Sequence, residues 1–261
     1  MVFHGGPGLD HTMFGDYLDL LTDEYSLVLV DERGQGRSAP SDRSTWTLEQ
    51  MAEDVGRLAA AMGFERYATL GHSFGALVVL QHAVSYPGEA AATIVSSGIP
   101  SAEYLERVQA ELERFEPVEL REQVAGSWAR EAVVQTIEEF EQLLHDQQPF
   151  HFKDPRDPRI EEYESRTGGG LYSPDVIRHF ASRHYGTIDV VDRLGEVTHP
   201  VLVLAGRHDR TTCLEGGEAI ARGIPNAELV VFEDSAHMTF VEENDAYVAA
   251  VRDFLGRVAA G

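Results

Sequence analysis

The stretch Gly71-His72-Ser73-Phe74-Gly75 decides the fold, because the residues on either side of it complete a recognisable pattern. The pentapeptide fits G-x-S-x-G. Residues 67–70 before it form a short apolar run typical of a strand, and residues 76–84 after it predict a helix that Pro87 helps to end. A sharp turn between strand and helix lifts a serine hydroxyl to the end of a sheet, where it can act as a nucleophile. The pentapeptide alone leaves one alternative open, a glycine-rich connection with an incidental serine.

The composition indicates one large globular domain. The chain has 261 residues, of which 43% are hydrophobic and 25% charged, as in an ordinary globular enzyme. No apolar run approaches the roughly 18 residues of a membrane span. The N-terminal residues also lack the basic region and apolar core of a signal peptide. We therefore expect a cytoplasmic protein without membrane contacts.

Acidic residues are in strong excess, and cysteine is almost absent. The formal net charge is −23, from 44 acidic and 21 basic residues. This balance excludes nucleic acid as a partner, because nucleic acid needs a basic face that replaces counterions. It leaves two accounts open, attraction of cationic substrates or an adaptation for solubility. Cys213 is the sole cysteine, so no intramolecular disulfide and no cysteine-based metal cluster can form.

The order of apolar segments predicts a parallel sheet covered by helices on both faces. Buried parallel strands are apolar throughout rather than alternating. Such runs occur at 26–30, 91–95, 201–205 and 228–232. Helices are expected after Thr47 and over residues 214–222 and 245–258. Thr47 and Gln50 match a capping box, in which both side chains satisfy free backbone N–H groups.

The middle of the chain has a different character. From about residue 100 to about residue 191, apolar residues recur at helical intervals, for example Val108 and Leu112, and no buried-strand run stands out. We therefore assign residues 1–99 and 192–261 to an α/β core, and residues 100–191 to a mostly helical cap insertion.

A serine nucleophile needs a base, and the base needs an acid that orients it. Asp209 follows the predicted strand 201–205, and His237 follows the predicted strand 228–232. The chain order Ser73, Asp209, His237 matches α/β-hydrolase triads and differs from the orders of chymotrypsin and subtilisin. Asp234 is a weaker choice because it shares a short loop with His237, and His208 would precede the last strand. We therefore predict Ser73, Asp209 and His237 as the catalytic residues.

Serine catalysis also needs two donors for the oxyanion. The first should be the backbone N–H of Phe74, directly after the nucleophile. The second is expected in the glycine-rich loop His4-Gly5-Gly6-Pro7-Gly8, where we choose the Gly6 N–H. The alternative is a tight turn without a catalytic role. His4 is expected to hydrogen-bond within this loop.

Three motifs together resemble the proline iminopeptidase branch of the α/β-hydrolase family. They are the loop of residues 4–8, the stretch Asp31-Glu32-Arg33-Gly34-Gln35-Gly36-Arg37-Ser38, and the pentapeptide around Ser73. Asp209 and Ser235-Ala236-His237-Met238 extend the similarity toward the C-terminus. The resemblance implies a mostly parallel sheet, a helical cap over the active site and removal of an N-terminal residue, typically proline, from peptides. It also implies that Asp31 and Arg33 are structural loop residues.

The chain departs from this branch at both ends of the predicted core. Members usually have two strands before the one that leads into the His-Gly-Gly-Pro-Gly loop, whereas here Met1-Val2-Phe3 would itself be that strand. We therefore expect the usual first two strands to be missing, and the strand at 26–30 to become an exposed sheet edge that invites pairing or aggregation. His72, where iminopeptidases often have glycine, is common in esterases and lactonases of this fold.

A further departure concerns the substrate's ammonium group. Members carry a glutamate near the end of the cap that helps to hold this group. The corresponding stretch, residues 183–189, has no glutamate, and Asp189 is shorter and displaced. Glu103, Glu138 or Glu164 could take its place, and the sequence does not distinguish among them.

The sequence thus predicts a serine hydrolase that forms an acyl-enzyme on a small-molecule or short-peptide substrate, without metal or organic cofactor. An iminopeptidase-like activity is slightly favoured over a carboxylesterase or lactonase. Remoter alternatives are a non-catalytic binding protein on the same scaffold and a fragment that folds poorly. Oligomeric state and acyl substrate are not determined by any motif in the chain.

Overall fold

Six parallel strands form one sheet in the computed structural model, which describes residues 1–260. The strands are β1 (Val2–Phe3), β2 (Leu29–Val30), β3 (Ala68–His72), β4 (Ala92–Ser96), β5 (Val201–Gly206) and β6 (Ala227–Phe232). Their spatial order is β2-β1-β3-β4-β5-β6, and each neighbouring pair is parallel. Every segment predicted as a strand overlaps one of them, so the expected parallel sheet is confirmed.

Ten α-helices accompany the sheet. They are α1 (Leu48–Ala61), α2 (Phe74–Ser85), α3 (Glu106–Glu113), α4 (Val118–Arg130), α5 (Ile137–His151), α6 (Arg159–Thr167), α7 (Pro174–Ala181), α8 (Leu214–Gly223), α9 (Thr239–Glu242) and α10 (Asn244–Ala260). Short 3₁₀ turns lie at His11–Phe14, Asp19–Asp23, Arg43–Thr45, Ala102–Leu105, His184–Gly186 and Val191–Glu196. Within residues 1–260, no helix is both long and apolar enough to cross a membrane.

Both faces of the sheet are buried, because successive strand residues point to opposite sides. Phe3, Val95 and Val203 join the cluster formed with α1, α2 and α8. Their neighbours Ile94 and Leu202 join a second cluster, which contains the inner face of α10. This two-sided burial explains why the strands are apolar throughout.

The first helix has only half of the capping box that its sequence predicts. The Thr47 hydroxyl accepts a hydrogen bond from the Gln50 N–H at 3.2 Å. The Gln50 amide does not return to the Thr47 backbone. It donates to Glu53 at 2.9 Å and to Asp54 at 3.4 Å, because carboxylates one turn along the helix are stronger acceptors. The prediction of a reciprocal box is therefore wrong.

Residues 100–191 lie between two neighbouring strands of the sheet. β4 ends at Ser96 and β5 begins at Val201, and the two strands pair directly. Helices α3 to α7 occupy the connection, and an antiparallel bridge between Ser101 and Asp189 joins its two ends. The described part of this segment contributes no strand to the sheet. Its interpretation as a cap remains a prediction.

The strand predicted at residues 26–30 lies at the edge of the sheet. Its regular part, β2, pairs with β1 on one side only, and Leu29 is 38% exposed. Within the described residues, no strand precedes β1, which leads directly into the loop of residues 4–8.

Candidate active site

Ser73 occupies a strained turn between β3 and α2. Its φ is 55° and its ψ is −116°, and its N–H donates to the Ser96 carbonyl at 2.9 Å. The turn leaves no room for side chains on either side. A Cβ at Gly71 would lie 2.1 Å from the Gly75 carbonyl oxygen, and one at Gly75 would lie 2.3 Å from the Phe3 carbonyl oxygen. Both glycines of the pentapeptide are therefore sterically required.

Asp209 and His237 meet at the carboxyl ends of β5 and β6. His237 Nδ1 lies 2.9 Å from Asp209 Oδ2, and the two residues are 4% and 9% exposed. Asp209 also accepts hydrogen bonds from the Thr211 and Thr212 N–H groups and from the Thr212 hydroxyl. Burial by itself would raise the pKa of Asp209, but the His237 ring and these hydrogen bonds hold it below its usual value. The carboxylate is thus charged beside the imidazole.

The alternatives to this pair lie at the surface. Asp234 is exposed and forms an ion pair with Lys153 at 2.6 Å, and His208 is exposed on the loop before Asp209. Ser73 and His237 line one cavity. Within residues 1–260, the Ser73 hydroxyl makes no hydrogen bond to His237, whose Nε2 is the ring nitrogen not engaged with Asp209.

The cavity lies between the carboxyl ends of the strands and the helices of residues 100–191. It encloses about 890 Å³ of space, a figure that includes the open mouth. Its walls are mainly apolar, with Leu77 from α2, Phe140 and Leu143 from α5, and Ile177 from α7.

The loop of residues 4–8 lies at this cavity, and two of its N–H groups have assigned partners. The Gly5 N–H points at Met13 Sδ at 2.8 Å, and the Gly8 N–H donates to Gln35 Oε1. Pro7 has no N–H. Among residues 1–260, this leaves the Gly6 N–H as the loop donor without an assigned partner. Gly6 lines the cavity, as does Phe74 at the first turn of α2.

The His4 ring makes hydrogen bonds within this loop and to the neighbouring loop of residues 31–38. It is fully buried, its Nδ1 lies 2.8 Å from the Gly5 carbonyl, and its Nε2 accepts from the Glu32 N–H at 3.3 Å. Burial lowers the pKa of His4, in agreement with a neutral ring that donates at Nδ1 and accepts at Nε2. The expected role within the loop is observed.

Asp31 and Arg33 hold the neighbouring loop. Asp31 accepts hydrogen bonds from the N–H groups of His11 and Arg37, at 2.9 Å and 2.8 Å. Arg33 makes a two-pronged contact with Asp54 on α1, at 2.7 Å and 2.6 Å. Neither residue lines the cavity, which fits the structural role that the resemblance implies.

Two further histidines surround His237. Their ring centroids lie 5.0 Å away for His72 and 5.1 Å away for His151. Burial, and next the neighbouring His237, lower the pKa of His72 well below its usual value and that of His151 to about 3. Both rings are therefore neutral near pH 7, and neither adds a fixed positive charge beside His237.

Glu131, which no sequence signal singled out, is the one acidic side chain among residues 1–260 that lines the cavity. It is buried, and it accepts hydrogen bonds from Gln147 Nε2 at 2.6 Å and from the Tyr185 hydroxyl. Burial raises its pKa to about 7, against these two hydrogen bonds. The acids considered from the sequence do not line the cavity; they are Glu103, Glu138, Glu164 and Asp189. The stretch 183–189 nevertheless contributes Tyr185, one of Glu131's partners.

The end of α5 is hydrogen-bonded to the loops that carry Asp209 and His237. Arg210, next to Asp209, donates to three carbonyls of residues 150–153 at 2.7–3.2 Å. The His237 N–H donates to the His151 carbonyl at 2.9 Å. The Glu242 carboxylate accepts from the N–H groups of Lys153 and Ala236, at 2.8 Å and 2.7 Å. These contacts link α5 directly to the positions of Asp209 and His237.

A family model described as the alpha/beta hydrolase fold matches residues 1–244. The chain belongs to this family, and it is an enzyme of the hydrolase class. The proline iminopeptidase of Saccharolobus solfataricus is 28% identical to it, over 99% of this chain and 84% of that protein.

Solved structures agree on the fold. The proline iminopeptidase of Mycobacterium smegmatis superposes with a TM-score of 0.75 at 23% identity, covering 100% of this chain and 90% of that chain. An esterase from Exiguobacterium antarcticum superposes with a TM-score of 0.74 at 19% identity, covering 98% and 90% of the two chains. The resemblance drawn from the motifs is thereby confirmed at the level of family.

Proposed function

We propose that this α/β hydrolase is a serine hydrolase that removes an N-terminal residue from short peptides or amides. The observation that carries the proposal is the Asp209–His237 hydrogen bond. His237 lines the same cavity as Ser73, which lies on a strained turn. A nucleophile, a base and an orienting acid on the loops that follow β3, β6 and β5 are the parts that acyl transfer needs.

In the proposed reaction, Ser73 Oγ attacks the substrate carbonyl and its proton passes to His237 Nε2. The hydrogen bond between these groups forms when substrate is bound, as catalytic hydrogen bonds often do. His237 then gives this proton to the leaving amine, and the acyl group remains on Ser73. Water, deprotonated by His237, attacks the acyl-serine. His237 then gives this proton to Ser73 Oγ as the bond to the acyl carbon breaks and the carboxylic acid leaves. Asp209 orients the ring and stabilises its charged form throughout.

The Gly6 and Phe74 N–H groups are the proposed donors to the tetrahedral oxyanion. Phe74 supplies the first N–H of α2, where the helix has no earlier carbonyl to receive it, and the helix N-terminus favours negative charge. Gly6 supplies the free N–H of the facing loop. Two such donors stabilise charge that develops in the transition state.

Glu131 favours an aminoacyl substrate. A cavity that holds one buried carboxylate beside apolar walls suits a ligand with one ammonium group and an apolar side chain, such as an N-terminal proline. We assign the substrate amine to Glu131. Residues 100–191, which supply this group and much of the wall, act as the cap of the site.

The test compares initial rates on proline p-nitroanilide and p-nitrophenyl butyrate. We expect turnover of the prolyl amide that falls by roughly 10⁴-fold or more in Ser73→Ala. Ser182→Ala, at an exposed serine, is the control and should keep the wild-type rate. Undiminished turnover by Ser73→Ala would overturn the mechanism.

The second candidate is a carboxylesterase or lactonase, favoured by the apolar walls and by the two hydrogen bonds that Glu131 already accepts. Ser73-dependent release from the ester alone would select it. A non-catalytic binding protein would give no sustained turnover of either compound.

A further inference from the structure

Unpaired polar atoms are concentrated around the active-site cavity. Within residues 1–260, nine side chains contain a buried polar atom without a hydrogen-bond partner. Four of these atoms belong to residues that line this cavity: His72 Nε2, Trp128 Nε1, Gln148 Oε1 and Thr211 Oγ1. A buried polar group without a partner is costly, so such a concentration indicates groups reserved for a ligand.

Two of the four atoms come from the α4–α5 wall. Trp128 on α4 offers an indole N–H, which can only donate, and Gln148 on α5 offers an amide group. Gln148 is 9% exposed and Trp128 Nε1 is buried. Gln147 and Tyr185 donate their hydrogen bonds to Glu131. Neither of them pairs with the Trp128 N–H or the Gln148 side-chain oxygen.

A series of aromatic rings connects Trp128 to His237. The His151 ring is 5.1 Å from the His237 ring, and the Trp128 ring is 6.3 Å from the His151 ring. His237 is the group that protonates the leaving group in the proposed mechanism. The series of rings therefore runs from His237, the group that faces the leaving group in that mechanism, to Trp128.

We infer that Trp128 and Gln148 form a subsite for an amide group in the leaving portion of the substrate. The Trp128 N–H donates to the amide carbonyl, and the Gln148 side-chain oxygen accepts from the amide N–H. This inference rests on the proposed function and deepens it. Such a subsite favours peptides, because their leaving group carries a further amide. The leaving groups of anilides and simple esters have none.

The test uses Trp128→Phe, which keeps an aromatic ring, and Gln148→Met, which keeps the side-chain length. Each should lower kcat/KM for prolyl-alanine amide by about tenfold, the effect of one lost hydrogen bond. Each should leave kcat/KM for proline p-nitroanilide within about twofold, because that leaving group does not reach the subsite. An equal fall on both substrates, or no fall on the peptide, overturns the inference.

Matched controls come from the same chain. Trp46→Phe removes the other indole N–H, which donates to Ser41 outside this cavity, and Gln142→Met alters an exposed residue of α5. Neither control should change the ratio of the two kcat/KM values. Thermal unfolding of each variant shows whether it folds.

Failure of the proposed function has a different signature. If only esters are turned over, the same ratio is measured between the butyrate ester of N-acetylethanolamine and p-nitrophenyl butyrate. If neither series reacts, saturation-transfer NMR with N-acetylalanine amide replaces the rates. A saturation-transfer signal from this amide that weakens in both variants supports the subsite, and an unchanged signal overturns it.

Discussion

Ser73 has a backbone conformation that few non-glycine residues adopt, with φ at 55°. Such a conformation costs on the order of 1–3 kcal/mol and persists only where the surroundings enforce it. Here β3 and α2 are joined without an intervening residue other than Ser73. The strain is the consequence of a turn tight enough to place the hydroxyl in the cavity.

Glu131 should make the proposed aminopeptidase activity depend on pH. Burial raises its pKa to about 7, and only the carboxylate attracts an ammonium group. We therefore expect KM for proline p-nitroanilide to fall as the pH rises through about 7. Glu131→Gln should raise KM above pH 7 and remove most of this dependence. Glu138→Gln, at an exposed acid of α5, is the control; an identical profile in wild type and Glu131→Gln would contradict the assignment.

The same carboxyl group should affect stability in a defined direction. Between its usual pKa of 4.5 and its folded pKa of about 7, Glu131 keeps a proton that the unfolded chain has released. Stability is therefore full below this window and falls as the pH rises through it. The free energy of unfolding, measured with urea, should therefore be lower at pH 8 than at pH 5. Glu131→Gln should reduce this difference by up to about 3 kcal/mol. Glu242, whose burial also raises its pKa to about 7, should preserve part of the pH dependence of stability in this variant. A pH dependence that Glu131→Gln leaves unchanged would refute the prediction.

At the scale of elements, the end of α5 links the helices of residues 100–191 to the loops that carry Asp209 and His237. Arg210 and Glu242 contact residues 150–153 from the loops that hold Asp209 and His237. A displacement of α5 would therefore move both members of the proposed base–acid pair. The end of α5 and the loops that carry Asp209 and His237 therefore form one connected unit.

Arg210→Met should reduce activity because it removes three hydrogen bonds to residues 150–153. A misplacement of about 1 Å in catalytic groups can cost on the order of 10²-fold in rate, and we expect kcat to fall to this extent while KM changes less. Arg207→Met is the matched control, since Arg207 lies on the same loop but pairs with Glu233 at the surface. That exposed pair is worth little, so the control should keep wild-type rates. Equal rates for both variants would show that the link does not position the site.

For the whole molecule, β2 forms an exposed edge of the sheet. Its backbone is paired on one side only, and Leu29 is 38% exposed there. An apolar, unprotected edge invites pairing with another chain, and a charged residue blocks such pairing.

Leu29→Lys should therefore raise the temperature at which light scattering begins on heating, without loss of catalytic rate. Leu20→Lys provides the control, because Leu20 is 47% exposed in a 3₁₀ turn and the charge change is the same. Equal protection by both variants would mean that net charge, rather than the sheet edge, governs aggregation.

Predictability from the sequence follows the range of the interactions involved. The strand at 201–205, the helix at 214–222 and the turn at Ser73 were predictable because each depends on neighbours in the chain. The prediction that the Gln50 side chain caps the helix was wrong because Glu53 and Asp54 accept hydrogen bonds from the same amide. Which acceptor is preferred depends on side-chain geometry.

The chain order of strands, turns and polar loop residues was sufficient for the family, the parallel sheet and the proposed triad, because parallel strands bring successive loops to one edge. The tertiary structure was needed to distinguish Glu131 from the other acids of residues 100–191, to bring Trp128 and Gln148 to the cavity, and to show Arg210 against residues 150–153. These assignments depend on which helix faces pack toward the cavity. Such packing joins residues far apart in the chain, and no local pattern of the sequence records it.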